Sequence, residues 1–162
     1  MSKIAFSHQG KNDKKPLRYK ECGLDDVYLV SGYVIEKTPH GEGLSIKNLD
    51  QLHIAIGRHL ASRKKVFTGK ELRFLRTQMG RSQASLGKVL GLSSQQVARY
   101  EKEESEISGP IDLLVRALYM QSIGVAVNIQ KLSEALAEMD SPLKEKSFFE
   151  NTSQGWMEKK AA

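Results

Sequence analysis

Gln95, Gln96 and Arg99 are the residues of this chain whose side chains are best suited to reading a base edge. A glutamine amide pairs with adenine through a donor and an acceptor at once, and an arginine guanidinium grips guanine with two donors. Gln95 and Arg99 stand four apart, so on a helix they share a face, and Ser94 lies beside them on the first turn. Arg81, Gln83, Lys88 and Lys102 flank them and are suited to hold phosphates and set register. The expected nucleic-acid set is therefore Arg81, Gln83, Lys88, Ser94, Gln95, Gln96, Arg99 and Lys102, with residues 93–102 entering the major groove of double-stranded DNA.

Those residues need two short helices that cross at a tight turn, and residues 82–102 have that pattern. Leu86, Val89 and Leu90 fall on one helical stripe, and Val97 and Tyr100 fall on another three residues apart. Gly91 supplies the left-handed residue that ends a helix, and Ser93 can cap the next one, with Gln96 at capping-box spacing. Gly87 in mid-helix costs about 1 kcal/mol of helix propensity relative to Ala, which points to a close approach by the second helix. The same stripes also fit an ordinary helical hairpin in a bundle. With Gln83 opening the first helix, Gly87 four later, Gly91 at the turn, Val97 beyond it and Arg99-Tyr100-Glu101 at the close, the stretch resembles the Cro/C1 (XRE-type) helix-turn-helix regulators. That resemblance implies a sequence-specific transcriptional regulator, most readily a repressor, acting as a homodimer on duplex DNA.

The charge distribution agrees. Residues 1–62 carry 9 Lys/Arg against 7 Asp/Glu, residues 63–102 carry 10 against 2, and residues 103–162 carry 6 against 10. The net charge of +6 thus comes from an excess of +8 on the helix-turn-helix and the segment leading into it, where a polyanion would release its counterions.

The remaining elements follow from period and punctuation. Residues 1–16, with Lys11, Lys14 and Lys15, read as a flexible arm. Val27–Ile35 alternates and is rich in β-branched and aromatic residues; Thr38-Pro39-His40-Gly41 breaks the pattern before Leu44-Ser45-Ile46, so a small hairpin or three-stranded sheet is expected. A helix from a cap at Asn48 to Ser62, with the stripe Leu49, Leu52, Ile56 and Leu60, would cover it. After a linker at Arg63–Thr68, Thr68 and Glu71 form a capping box for a helix to Met79 whose Leu72, Leu75 and Met79 face a core, leaving Arg73 and Arg76 for phosphates. Glu103–Glu106 is an acidic loop. Gly109-Pro110 starts a helix with the stripe Ile111, Leu114, Val115 and Leu118. A last helix, Val125–Met139, carries Ile129, Leu132, Leu136 and Met139 on one face, which fits core packing or a dimer seam. The fold class is α+β, mainly α: an arm (1–16), a β-hairpin and helix module (17–65), a C-terminal helix-turn-helix domain (66–140) and a disordered tail (141–162), in which Phe148, Phe149 and Trp156 suggest a docking segment.

No catalytic constellation is present: the chain has no G-x-S-x-G, no P-loop and no H-E-x-x-H, so no enzyme, no catalytic residue and no cofactor are expected. Cys22-Gly23 followed by strands, a helix and the helix-turn-helix resembles the layout of MqsA-type antitoxins, whose N-terminal module binds zinc. Cys22 is the single cysteine and the histidines lie at no zinc spacing, so no metal is expected. The layout leaves open an antitoxin that neutralises a cognate toxin and represses its own operon. A polar N-terminus and the lack of any apolar run of membrane length fit a cytoplasmic protein.

Overall fold

A computed structural model describes residues 15–63, 66–139 and 145–160. In chain order the elements are β1 (Leu17–Arg18), β2 (Val27–Leu29), β3 (Tyr33–Thr38), β4 (Gly41–Ile46), α1 (Leu49–Arg63), α2 (Gly69–Gln78), α3 (Gln83–Leu90), α4 (Ser94–Glu101), α5 (Gly109–Ser122), α6 (Ile129–Ala137), β5 (Ser147–Thr152) and β6 (Gly155–Lys159). The fold is α+β, mainly α. The described residues form two compact units, one of residues 15–21, 25–56 and 146–160, the other of 22–24, 57–63, 66–139 and 145. Apart from Lys15 and Pro16, the expected arm lies outside the described residues, as do Lys64 and Lys65 of the linker.

The first unit holds a four-stranded sheet in the order β1-β2-β5-β6 and a separate hairpin, β3-β4. β2 runs antiparallel to β1 and parallel to β5, pairing Leu29 with Leu17 and with Phe149. β5 and β6 are antiparallel, with Asn151 opposite Trp156. Directly opposed residues share a face, and one face is the core: Val27, Leu29, Phe149 and Trp156 are buried, with Tyr19 and with Leu52 and Ile56 of α1. The tail expected to be disordered is thus corrected to two core strands. Its Phe149 and Trp156 are packing residues of the sheet rather than a docking segment, and the pairing that orders them lies 120 residues away, where no local period can reveal it.

Val27–Ile35 is not one strand. Val30 donates its N–H to Phe149, after which the Ser31 hydroxyl takes over the ladder, accepting from the Asn151 N–H at 3.0 Å. The chain then leaves the sheet and starts β3. Both hairpins close on the same device: the Thr38 hydroxyl donates to the Gly41 carbonyl at 2.7 Å and accepts from the His40 N–H, and the Thr152 hydroxyl does the same with Gly155 and Gln154. At the entry to α1, Asn48 is not extended, as a capping residue would be, but left-handed at φ 49°; Leu49 of the predicted stripe is 42% exposed. The Tyr19 hydroxyl meets His53 Nε2 at 3.0 Å, and burial pulls the His53 pKa below its ordinary 6.5, opposed in part by Asp50.

In the second unit the capping box on α2 forms as read: the Thr68 hydroxyl accepts from the Glu71 N–H at 3.2 Å, and the Glu71 carboxylate accepts from the Thr68 N–H at 2.8 Å. Leu72, Phe74 and Leu75 are buried, and Met79 is half-exposed. In α5 the core face is turned from the predicted stripe. Val115 is buried, but Ile111, Leu114 and Leu118 are half-exposed, and Arg116, Ala117 and Tyr119 face inward instead. The cause is Arg116, whose fully buried guanidinium meets Asp112 at 2.5 Å, donates to the carbonyls of Leu60 and Ala61 in the last turn of α1 and lies 4.1 Å over the Phe67 ring. It fills the carbonyls that a helix end leaves without partners, at the end where the helix dipole favours a cation. Beside it the Tyr119 ring occupies the space left by Gly57, and burial lifts its hydroxyl pKa to about 12. α6 begins at Ile129 rather than Val125, because the Asn128 side chain caps it by accepting from the Lys131 N–H.

Arg116→Met strands Asp112 and the two α1 carbonyls, and is expected to cost about 3 kcal/mol or more in urea unfolding. Arg116→Lys recovers only part, since an ammonium cannot span the same fork. For His53 the sign follows from a lowered folded pKa. Its contribution is complete above the unfolded value of 6.5 and is lost as pH falls through the folded pKa, because the unfolded chain binds the proton first. The drop in melting temperature between about pH 7.5 and about pH 5.5 is expected to shrink in His53→Gln; an unchanged drop would remove His53 from the account.

Candidate nucleic-acid interface

The interface is built by α2, α3 and α4. Ser82 caps α3 by accepting from the Ser85 N–H at 3.0 Å, and Ser93 caps α4 by accepting from the Gln96 N–H at 3.1 Å. Between them Gly91 is left-handed at φ 71° and ends α3, the conformation that only a residue without a Cβ adopts without strain. A Cβ at Gly87 would sit 2.6 Å from the Leu92 carbonyl oxygen, so the close approach inferred at this residue is made by the turn's own backbone and leaves no room for a large side chain. Leu86, Leu90, Val97 and Tyr100 are buried between the helices. Val89, predicted to join them, is 43% exposed: it falls on the outer edge of α3, and Leu86 and Leu90 alone fill the seam.

The orientation of α4 is fixed at its C-terminal end. Glu101 is nearly buried and accepts from Arg76 Nε at 2.5 Å, from Arg76 Nη2 at 3.2 Å and from Gln83 Nε2 at 2.9 Å. Arg76 Nη1 also donates to the Arg81 carbonyl. Arg76, expected to be free for phosphates, is therefore corrected to an internal ion pair, and Gln83 places its amide on the same carboxylate. No local spacing signals this clasp, whose members come from three helices. Next to it Glu103, left-handed at φ 59°, accepts the Gly69 N–H at 2.9 Å, so one member of the acidic loop sits at the start of α2.

With Val97 and Tyr100 facing inward, Ser94, Gln95, Arg99 and Lys102 are exposed on the opposite side of α4. Gln95 and Arg99 keep the i, i+4 relation and make no side-chain hydrogen bond to other described residues, so both donor sets are available. Gln96 is half-buried and donates to the Ser105 hydroxyl at 2.8 Å, which holds its amide on the protein and leaves the predicted capping box half made. Arg81 reaches the Ser85 hydroxyl at 3.3 Å, and Lys88 is exposed on α3. Of the eight residues named from sequence, five are thus presented outward, Arg81 is half-exposed, and Gln83 and Gln96 are held by internal bonds. The exposed cations Arg73, Lys88, Arg99 and Lys102 keep the positive excess of this stretch at the surface once Arg76 is neutralised.

Among the described residues no three His, Cys, Asp or Glu gather to hold a metal ion, and no helix is long and apolar enough to cross a membrane. In comparison with known proteins, residues 72–111 match a family model described as helix-turn-helix. No curated protein and no solved structure matches the chain. The matched span runs from α2 into the first turn of α5 and does not reach residues 18–62, so the likeness of that region to an MqsA-type layout gains nothing from it. With the caps, the turn glycine and the buried seam all inside the matched span, residues 72–111 form a helix-turn-helix, and the match supports a DNA-binding regulator of the Cro/C1 (XRE) type.

Proposed function

We propose that the protein is a sequence-specific repressor that lays α4 in the major groove and reads bases with Gln95 and Arg99. The observation that carries this reading is their joint exposure, four residues apart, on the face of α4 opposite the buried Val97 and Tyr100. Ser94 sits at the first turn, where a recognition helix comes nearest the bases. Arg81, Lys88 and Lys102 grip phosphates. Gln83 and Gln96 act indirectly, by fixing Glu101 and the loop after α4.

Two readers discriminate over few base pairs, which is why a second copy on a two-fold site belongs to the proposal. Its support is α6, in which no residue is buried and Ile129 is 53% exposed. Beside α6 an open apolar groove of about 310 Å³ is lined by Leu114, Leu118, Val125, Val127 and Ile129 among others. We assign Ile129, Leu132 and Leu136 to the seam of a homodimer.

A second reading, an antitoxin that also represses its own operon, is favoured by the β3-β4 hairpin. Tyr33, Ile35, Leu44 and Ile46 share one face of it by register, and no residue of either strand is buried, as expected of a surface kept for a protein partner. Rescue of growth when the chain is coexpressed with the product of an adjoining reading frame separates this reading from the first.

Affinity for an operator duplex is expected to fall about tenfold or more between about 50 and about 200 mM salt. Gln95→Ala and Arg99→Ala should each cost about 1–3 kcal/mol on the operator and relax preference at one or two base pairs, with the melting temperature unchanged. Lys88→Ala should instead weaken all duplexes alike and lower the salt slope by about one. If both reader variants leave the ratio of specific to random binding unaltered, α4 is not the reader. Leu132→Glu is expected to yield a monomer in sedimentation that still binds a half-site; a dimer that survives the change puts the seam elsewhere.

A further inference from the structure

We propose that the outer face of the four-stranded sheet is a stacking platform for single-stranded DNA, a contact separate from the helix-turn-helix. The register places one residue of each strand in a single row: Arg18 opposite Tyr28, Tyr28 opposite Phe148, and Phe148 opposite Lys159. Directly opposed residues project from the same face, so the row reads cation, ring, ring, cation across three interstrand gaps, about 14 Å. In the neighbouring row Leu29 and Phe149 are fully buried, and they belong to the other face. The two rings are therefore not core residues. They are half-exposed, and they stack on each other with centroids 5.5 Å apart and planes 30° from parallel.

The charges around the rings select the occupant. Arg18, Lys146 and Lys159 are exposed, and Lys146 Nζ lies 5.3 Å from the centre of the Tyr28 ring. Within the strands this face carries one acid, Glu150, and it is held by Lys159 at 3.8 Å. Adjacent aromatic faces bordered by cations match a polyanion whose own aromatic faces are accessible. A single strand meets that description, each base offering a π-face and each link a phosphate. A duplex keeps its bases stacked inside and offers the rings nothing. Lys146 covers Tyr28 by an exposed cation–π contact, weaker than a base stack, and can exchange the ring for a phosphate when a base arrives. The choice of DNA over RNA rests on the helix-turn-helix, which holds the chain on DNA and so raises the effective concentration of any strand opened nearby.

The test uses the full chain and a labelled oligothymidylate of about 12 nucleotides, a length within the site sizes of single-strand binders. To keep the helix-turn-helix from dominating, binding is followed by anisotropy in the Arg99→Ala background as well as in the unaltered chain. Tyr28→Leu with Phe148→Leu retains apolar bulk and removes both π-faces. It is expected to lose single-strand affinity at least tenfold while operator-duplex affinity stays unchanged, and Lys146→Ala to lower the single-strand salt slope by about 0.7. Should the double variant fail to fold, an iododeoxyuridine oligonucleotide crosslinked to the unaltered chain decides the matter: crosslinks at Tyr28 or Phe148 support the platform. Crosslinks confined to residues 81–102, single-strand binding indifferent to the double substitution, an RNA strand bound more tightly than the DNA strand, or equal displacement by polyglutamate would each overturn the proposal.

Discussion

The helix-turn-helix depends on one carboxylate. Glu101 closes α4, the end of a helix where the backbone carbonyls already concentrate negative charge, and its side chain is nearly shielded from water. A lone carboxylate there would be strongly unfavourable. Two donors from Arg76 and one from Gln83 make it tenable, and because those donors come from α2 and α3 the compensation also fixes how α4 is rotated about its axis. A rotation of one residue, about 100°, would take Gln95 and Arg99 off the outer face and bring charged groups onto Val97's seam. Recognition by a few side chains needs that rotation held to a fraction of a turn, and the apolar seam alone, a small set of side chains, allows more freedom than an ion pair with two parallel bonds.

The same stretch shows why a charge total is a poor map of a surface. Residues 63–102 carry a large positive excess, yet one of its arginines is consumed inside the fold and its two acids are structural, Glu71 in the α2 cap and Glu101 in the clasp. What remains for phosphates is a set of exposed cations on α2, α3 and the end of α4, flanking the side chains that can read bases. Under the proposed reading, phosphate contacts would give affinity and register, and base contacts selectivity.

Features that depend on near neighbours were legible in the sequence. The α2 capping box, the Ser82 and Ser93 caps, the left-handed Gly91 and the need for a small residue at Gly87 all involve atoms within a few residues, and each formed where read. Features set by distant partners were not. Arg116 is buried against the rule that arginines face water, since its partners arrive from α1 and from Phe67, and it turns α5 away from the stripe that hydrophobicity suggested. Arg76 looked free because Glu101 lies 25 residues on. At residues 147–159 one local signal exists: Thr152-Ser153-Gln154-Gly155 repeats the Thr-x-x-Gly spacing of the Thr38-Pro39-His40-Gly41 turn.

That second hairpin changes what counts as a module. The sheet of the first unit joins β2 to β5 in parallel, so Leu29 obtains its neighbour Phe149 only when both ends of the chain are present. The helix-turn-helix has no such requirement, because the contacts among α2, α3, α4 and α5 lie within a stretch of some tens of residues and close small loops. The entropic cost of ordering the sheet is thus met across the whole intervening chain, while the helix-turn-helix closes through local contacts. A cut after α6, harmless if residues 141–162 were a loose tail, would remove β5 and β6 and expose the edge of β2 with Val27 and Leu29 beside it. The terminal strands are integral to the first unit, and any dissection of this chain into its two units has to keep residues 15–56 together with 146–160.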